Sequence, residues 1–587
     1  MARARIRATL WGGTAFAVAL ALALPGCAAF ARAPQSADAP LALSPPFALG
    51  VEQLFAWKAA GPLADARNVS RVPLASRMLD PGPGPDPAAR LDPRVRVLFA
   101  PDGMNNFANY LVPQRRFNLY TFTHWAQIDV LSWFAGAAEH NVMIPARPWV
   151  DTAHRNGVKV IGTAFFAPRA WGGSAKTLKA FLREDGEGRF PAADRLVEIA
   201  RHYGFDGWLI NQETDVSPEL GGCMARFMAY LTRIAPPGME IHWYDAMLPD
   251  GRVQWQNAYD PRNAALLQDG ATRVADAMFL NYQWTPAGLR AGAALAEARG
   301  RDRYALFIGA DLWPARDNAQ RAFGNKSWLR DLREQGDGPA LGSVALFAPN
   351  FNFNAGGEFG DFRADPRDVK HFYDGETRLF AGDDRNMATG NSTEAMRTGA
   401  WEGLAALVPA RSAIAKLPFE TSFNTGHGLI NARDGGVVGG PWHDMARQDP
   451  LPSWQFAHSP AARLEIGYDF RRAWQGGSSL RVLPAAALHA PAEVPLFLTN
   501  LSIGARTGLS VTAIAPSPGY ALRLTMADGS ESLHPLAATG AWRERRWCLG
   551  PLAGKAIRRI SLMIERGYPK PLNLGKIAIQ GRCSPAG

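Results

Sequence analysis

Short apolar segments recur along the chain between about residues 95 and 350, and helical patterns separate them. Strands buried on both faces have this continuous apolar character, and their alternation with helices is typical of a parallel sheet covered by helices. A weak segment at Val95–Phe99 precedes seven clear ones: Ile128–Phe134, Val158–Thr163, Asp206–Ile210, Glu240–Tyr244, Ala277–Asn281, Tyr304–Ile308 and Ser343–Phe347. Eight strands predict an α/β fold, a closed (β/α)8 barrel of the TIM type. An open doubly wound sheet is the alternative, although no Gly-rich phosphate loop follows any strand.

Two of the helical patterns end in clear stop signals. Trp149–Asn156 is followed by Gly157, and Ala192–Tyr203 is followed by Gly204. Glycine often follows the last turn of a helix because it adopts the left-handed conformation there without steric cost. Both glycines therefore predict the ends of helices that lead into the next strand.

The sequence pattern changes after the barrel. Residues 386–416 predict a linker, and residues 417–587 show short alternating apolar runs broken by Gly and Pro, which predict a separate antiparallel β-sandwich domain. The runs are Ala462–Tyr468, Ser479–Val482, Val494–Leu498, Leu509–Ala515, Ala521–Met526 and Arg559–Ile564. We therefore expect a barrel over residues 47–385, the linker, and then the accessory sandwich.

The first residues of the chain resemble an export signal. Residues 1–27 begin with three arginines, continue with an apolar stretch and end at Cys27, which predicts a signal peptide with a lipoprotein box. Residues 28–46 are rich in Ala, Pro and Ser and predict a tether. We expect an exported protein that a lipid on Cys27 anchors to a membrane of a bacterial cell envelope. The alternative is ordinary cleavage after Ala31, which would produce a free secreted protein.

Charge and cysteine content exclude several classes of function. The net charge of +10 is spread along the chain without a dense Lys/Arg tract, so the sequence does not predict nucleic-acid binding. Cys548 and Cys583 can pair in an oxidising compartment, whereas Cys223 is expected to be a small buried apolar residue. No spacing of Cys and His is typical of a zinc site, and we expect no metal or other cofactor.

The strongest candidate for catalysis is a pair of polar residues at the end of the third clear strand. Side chains two apart on a strand share a face, so Asn211 and Glu213 point the same way, at the end of a barrel where active sites lie. A glutamate can transfer a proton, whereas an asparagine can only orient a neighbour or form hydrogen bonds. The alternative is a pair of side chains that merely bonds to a loop.

The segment Tyr203–Glu213 resembles glycoside hydrolase family 85, the endo-β-N-acetylglucosaminidases that cut the chitobiose core of N-linked glycans. Further segments resemble the same family in the same order: His154–Thr163, Trp243–Met247, Val253–Asn257, Phe279–Trp284, Gly309–Trp313 and Ala345–Pro349. The segments Phe419–Gly428 and Gly476–Leu480 resemble the β-sandwiches attached to such barrels. The resemblance implies N-linked glycans on glycoproteins as substrates.

The resemblance also implies the roles of the pair. Most glycosidases use two carboxyl groups, but some families use the 2-acetamido oxygen of the substrate as the nucleophile, which forms an oxazolinium ion and retains the anomeric configuration. Glu213 would be the general acid and then the base. Asn211 would orient the acetamido group, and Tyr244 would contact it.

A second group of residues is expected to bind the glycan, from the resemblance and from positions near strand ends: Trp243, Trp255, Asn281, Trp284, Asp311 and Trp313. For the tryptophans, the alternative is simple packing at the rim of the barrel. Two other functions remain open at this point. One is a chitinase-like hydrolase of GlcNAc polymers, and the other is a surface lipoprotein that binds glycans without cleaving them.

Overall fold

A computed structural model describes residues 47–80, 92–313, 328–334, 338–352, 366–389, 401–567 and 569–583. Eight parallel strands in it form a closed barrel, because the third strand pairs with the fourth and the first pairs with the eighth. The strands are β1 (Val97–Ala100), β2 (Val130–Ser132), β3 (Lys159–Phe166), β4 (Gly207–Gln212), β5 (Glu240–Tyr244), β6 (Ala277–Leu280), β7 (Leu306–Asp311) and β8 (Ser343–Phe347). The predicted TIM-type barrel is confirmed, and the weak segment near residue 97 is its first strand.

The described residues contain eight α-helices: α1 (Val51–Ala56), α2 (Met104–Phe107), α3 (Arg147–Arg155), α4 (Ala175–Phe181), α5 (Pro191–Tyr203), α6 (Pro218–Ile234), α7 (Pro286–Ala298) and α8 (Pro366–Ala381). Helix α5 ends at Gly204, which has φ +75° and donates its N–H to the carbonyl of Ala200. Helix α3 is followed by Gly157 at φ +69°. Both predicted helix ends are confirmed. Within the described residues, no helix is both long and apolar enough to cross a bilayer.

The strands divide their side chains between two apolar clusters. One cluster fills the inside of the barrel and includes Leu98, Ile161 and Leu209, while the other lies between the barrel and its helices and includes Trp208 and Ile210. Leu209 lies inside and strand side chains alternate, so the positions two and four residues later also face the barrel axis. The direction of the predicted catalytic pair follows from this alternation.

Three aspartates at the opposite end of the barrel hold adjacent strands in register. Asp129 accepts a hydrogen bond from the N–H of Val97 at 2.8 Å, and Asp276 does the same for Ile241 at 2.7 Å. Asp206 accepts from the N–H of Val160 at 2.7 Å. Each aspartate precedes a strand and binds the strand before it, so these carboxylates join β1 to β2, β3 to β4 and β5 to β6.

Two antiparallel sheets follow the barrel and share an apolar core. Their main strands are β9 (Leu464–Asp469), β10 (Ser479–Pro484), β11 (Ala492–Ser502), β12 (Gly508–Ala515), β13 (Tyr520–Met526), β14 (Glu531–Pro535), β15 (Thr539–Cys548), β16 (Ala556–Ile564) and β17 (Leu572–Gln580). The first sheet has the order β9-β10-β17-β12-β15, and the second has the order β11-β16-β13-β14. Cys548 and Cys583 form a disulfide bond, with their Cα atoms 5.3 Å apart. Within the predicted linker, Ala410–Ser412 pairs with Met78–Asp80.

Buried hydrogen bonds connect the barrel to the residues that lead into these sheets. Gln448 accepts from the indole N–H of Trp125 at 2.6 Å and donates to the carbonyl of Phe122 at 2.9 Å. Gln455 donates to the carbonyl of Thr123 at 2.7 Å. Buried amide groups need such partners, because an unpaired one costs about 1–3 kcal/mol. The contact between the two parts therefore depends on specific geometry as well as on apolar area.

A buried histidine lies in the same contact region. His427 stacks on Phe117 with ring centroids 4.3 Å apart, and its Nδ1 lies 2.9 Å from the carbonyl oxygen of Phe117. Its Nε2 lies 2.6 Å from the hydroxyl of Tyr373. A neutral ring satisfies both contacts by donating from Nδ1 and accepting at Nε2. Burial lowers the pKa of His427 to about 4.

We expect acid to destabilise the protein through this residue. The folded pKa of His427 lies below the ordinary value of about 6.5, so the stabilisation is present above pH 6.5 and is lost as the pH falls toward 4. The difference corresponds to about 3 kcal/mol in the free energy of unfolding. About 2 kcal/mol of this difference falls between pH 7 and pH 5, and urea unfolding at these two pH values measures it. His427→Gln should flatten the pH dependence, and the same change at the exposed His489 should not. Equal pH dependence in the His427 variant and the parent would contradict this assignment.

Candidate active site

Strand β4 carries Asn211 and Glu213 to the carboxyl end of the barrel. Asn211 is 1% exposed and Glu213 is 2% exposed. Asn211 lies opposite Phe165 of β3 in the parallel ladder, and the N–H of Glu213 donates to the carbonyl of Phe166 at 2.8 Å. Both side chains share the inward face of β4 with Leu209. The structure therefore brings the predicted pair together on the inner wall of the barrel.

The residue between them holds the backbone in place. Gln212 points away from the barrel axis and forms two hydrogen bonds to Thr214, one from the N–H of Thr214 at 2.9 Å and one to its carbonyl at 2.6 Å. The hydroxyl of Thr214 donates to the carbonyl of Ala167 at 2.6 Å. These bonds tie the turn after β4 to the turn after β3, so the backbone that carries Glu213 has little freedom.

The amide of Asn211 has an unused acceptor. Its side-chain oxygen is buried and accepts no hydrogen bond from any of the described residues. A buried polar atom without a partner is costly, and it often marks a place where a ligand supplies the missing group. A donor such as an N–H on a bound molecule would satisfy this oxygen.

Tyr244 lies at the end of β5, the strand beside β4. Its hydroxyl donates to Oδ1 of Asn281 at 2.7 Å, and Asn281 directly follows β6. Burial raises the pKa of Tyr244 well above 10, and Tyr282 and the charge of Glu213 raise it further. The phenol therefore stays protonated at any working pH. Trp243 lies opposite Ile210 in the ladder between β5 and β4, so Tyr244 stands beside the end of β4.

Aromatic rings that the sequence analysis did not identify line the same end of the barrel. Their ring centroids are 5.1 to 6.4 Å apart along a continuous path from Tyr244 to β3: Phe279, Tyr282, Phe347, Phe134 and Phe165. Strand periodicity places several of them on the inward face, and that signal was available in the sequence. The rings form an apolar wall that can pack against the flat face of a sugar.

Four of the predicted substrate-binding residues lie at this end of the barrel. Trp255 is half-buried against the inner apolar cluster, and Trp313 belongs to that cluster. Asp311 ends β7, is 1% exposed and accepts from the N–H of Trp313 at 3.2 Å. Trp284 is half-buried, and its indole N–H donates to the carbonyl of Gly309 at 2.8 Å.

Trp243 does not join this group. It directly precedes Tyr244 on β5, so the two side chains point to opposite faces of the strand. The Trp243 side chain is fully buried in the cluster between the barrel and the helices. The alternation of side chains along β5 could have identified this direction from the sequence.

The loop after β5 contains a buried carboxylate that the sequence analysis also missed. Asp245 is 2% exposed and accepts from the N–H of Asn257 at 2.8 Å and from the side chain of Asn263 at 3.0 Å. Burial raises the pKa of Asp245 to about 7, and these hydrogen bonds oppose that rise. The described residues include no group of three or more His, Cys, Asp or Glu side chains arranged to hold a metal ion.

Known proteins resemble the chain over most of its length. The cytosolic endo-β-N-acetylglucosaminidase of Gallus gallus is 30% identical over 74% of this chain, and that of Homo sapiens is 29% identical over 86%. The glycoside hydrolase domain of Endo-D from Streptococcus pneumoniae R6 superimposes with a TM-score of 0.78 at 26% identity, covering 91% of this chain and 82% of the other. The chain spans 52% of the length of the Gallus gallus protein and 61% of the human one.

These relatives contradict the predicted location. We expected an exported protein anchored to a bacterial envelope membrane by a lipid on Cys27. Six curated relatives, from vertebrates and from Arabidopsis thaliana, are all named cytosolic enzymes. The prediction of export and anchoring is therefore wrong. It depended on a short apolar stretch in residues 1–46, which lie outside the part of the chain that the structure describes.

The sequence model of one family covers more than half of the chain. The model of glycosyl hydrolase family 85 matches residues 104–430. These residues include the barrel strands β2 to β8 and also Asn211, Glu213 and Tyr244. The overall fold agrees with the Endo-D domain over the barrel and the sheets that follow it. This chain belongs to glycosyl hydrolase family 85.

Proposed function

We propose that the protein is an endo-β-N-acetylglucosaminidase that hydrolyses the GlcNAc-β-1,4-GlcNAc bond in the chitobiose core of N-linked glycans. The observation that carries this proposal is the buried, unpartnered amide oxygen of Asn211, two residues before Glu213 on the same face of β4. A 2-acetamido group offers the N–H donor that this oxygen lacks. The names of the curated relatives support the same activity.

In the first step of the reaction, Glu213 supplies the proton and the substrate supplies the nucleophile. The carboxyl group of Glu213 donates its proton to the glycosidic oxygen, and the bond from that oxygen to the anomeric carbon breaks. The 2-acetamido oxygen attacks the anomeric carbon and closes an oxazolinium ring. Positive charge develops on the acetamido nitrogen, and its N–H donates to the oxygen of Asn211. A neutral amide therefore stabilises the charge without competing for the proton of Glu213.

In the second step, Glu213 acts as a general base instead of a general acid. The carboxylate of Glu213 takes a proton from water, and the water oxygen attacks the anomeric carbon and opens the ring. The leaving group departs and the water arrives on the same face of the sugar, so the β configuration is retained. Tyr244, neutral at working pH, confines the acetamido group from the side of β5. Trp255 and the aromatic wall pack against the sugar rings.

The test is a digestion of glycoproteins that carry high-mannose, hybrid and complex N-glycans, followed by mass spectrometry of both products. We expect each cleaved site to retain a single GlcNAc on asparagine. Conversion of the asparagine to aspartate would identify an amidase. Cleavage of free GlcNAc polymers alone would identify a chitinase-like enzyme, and binding without cleavage would identify a lectin, so any of these three results would overturn the proposal.

A further inference from the structure

A chain of hydrogen bonds runs under the proposed site, from the loop after β5 to Tyr244. The side-chain oxygen of Asn257 accepts from the side-chain amide of Asn281 at 2.7 Å and from the N–H of Gln283 at 3.0 Å. Asn281 in turn accepts the hydroxyl proton of Tyr244 at 2.7 Å. Asn281 therefore links Asn257 to Tyr244.

The backbone N–H of Gln283 determines which atom donates and which accepts in every hydrogen bond of this series. A backbone N–H can only donate, so the atom of Asn257 that faces Gln283 must be the amide oxygen. That oxygen requires a donor from Asn281, which must therefore present its NH₂ group. The remaining oxygen of Asn281 then faces Tyr244 and accepts its proton. One backbone N–H thus sets the orientation of two amides and one phenol.

Asp245 holds Asn257 in an unusual backbone conformation. Asn257 has φ +56°, in the left-handed region that non-glycine residues seldom adopt. The carboxylate of Asp245 accepts from the N–H groups of Gln256 at 3.3 Å and Asn257 at 2.8 Å, which stabilises this turn. The conformation directs the side chain of Asn257 toward β6 rather than into solvent. Strained backbone of this kind is often retained where it places a functional group.

We propose that Asn257 is a positioning residue of the active site, which is held by Asp245 and which fixes Tyr244 through Asn281. This inference rests on the proposed function, because it assumes that Tyr244 confines the acetamido group during ring closure. Without the oxygen of Asn257, the amide of Asn281 is free to turn, and the hydroxyl of Tyr244 loses its fixed acceptor. The acetamido oxygen is then aligned less often for attack on the anomeric carbon.

Asn257→Gly is the variant that isolates this role. Glycine adopts φ +56° without strain, so the turn is retained while the side-chain oxygen is removed. We expect kcat for glycan release to fall about 10- to 100-fold, because small displacements of reacting groups have effects of that order. We expect KM to change less than about threefold. Tm is measured in parallel, because loss of the acceptor for Asn281 and Gln283 lowers it while relief of the left-handed conformation raises it. A merely structural role would leave kcat per folded molecule unchanged, whatever the change in Tm.

Two further variants complete the test. Asp434 also has a left-handed φ, +50°, and lies in the turn between the short strands Asn431–Arg433 and Gly436–Gly439, outside the barrel sequence. Asp434→Gly is therefore a matched control that should leave kcat unchanged. In a Tyr244→Phe background, Asn257→Gly should have almost no further effect, because both changes interrupt one path. Wild-type kcat in Asn257→Gly, or an undiminished loss in the Tyr244→Phe background, would overturn the inference. Failure of the proposed function is distinguishable, because the parent protein would then release no glycan.

Discussion

Replacing Glu213 with Gln is expected to lower kcat for release of glycan from a high-mannose glycoprotein by about 10²–10⁴-fold, the usual contribution of a positioned general acid. Gln has the same shape but cannot donate the proton that the glycosidic oxygen needs, and it cannot later accept one from water. The measurement is the rate of glycan release at saturating substrate. Because Glu213 is buried and its backbone is held by β4 and the turn after it, Tm should change little.

A second carboxylate on the same segment serves as the control for this variant. Glu219 lies in the first turn of α6, six residues further along, and is exposed to solvent. Glu219→Gln makes the same chemical change without reaching the inside of the barrel, so it should retain the activity of the parent. Near-normal turnover in Glu213→Gln would refute the assignment of this residue as the acid.

Asn211→Ala is expected to separate the two steps of the reaction. Removal of the amide oxygen leaves the acetamido N–H without an acceptor while positive charge develops, and we expect glycan release to fall about 10²–10³-fold. A supplied sugar oxazoline already contains the closed ring and needs only Glu213 and water. We therefore expect its hydrolysis to fall less than about tenfold, because ring formation is the step that depends on Asn211. The two rates are measured on the same preparation.

The control for this variant is the exposed Asn500 on β11, where Asn→Ala should change neither rate. If Asn211→Ala hydrolyses natural glycan and oxazoline equally poorly, the division of work between Asn211 and Glu213 is wrong. If both rates remain normal, the unpartnered oxygen has no part in catalysis. The interpretation of either result does not depend on the results for the Asn257 variants.

The positions of the strands were predictable because each barrel strand is short and mostly apolar. Glu240–Tyr244 and Ser343–Phe347 agree with the prediction residue for residue, and the others differ only at their ends. Strand β15 was missed because it lies at the edge of its sheet and is largely exposed, so its arginines and glutamate hide the alternation that marks a half-buried strand. Exposure alone does not explain every omission, because β17, which is largely buried and lies in the middle of its sheet, was missed as well.

The side of the strand to which each side chain points was also predictable, provided that the alternation of side chains was applied to every residue of the strand. It places Asn211 and Glu213 with Leu209 inside the barrel, and applied to Tyr244 it places Trp243 on the outside. The resemblance to a family brought Trp243 into the predicted site as part of a motif. The periodicity of the strand is the stronger guide to direction, because it follows from backbone geometry.

The sequence by itself determined the barrel, the order of its strands and the acid–amide pair, because apolar periodicity and strand alternation are local properties of the chain. Only the tertiary structure decided which distant residues complete the site. Asn257 and Asn281 are 24 residues apart in sequence and lie on different connections, yet their side chains meet at 2.7 Å. Closure of the barrel produces that contact, and it also brings together the aromatic rings whose inward direction the strand periodicity indicates. Such contacts depend on how neighbouring strands are placed in space, and no local pattern in the sequence encodes them.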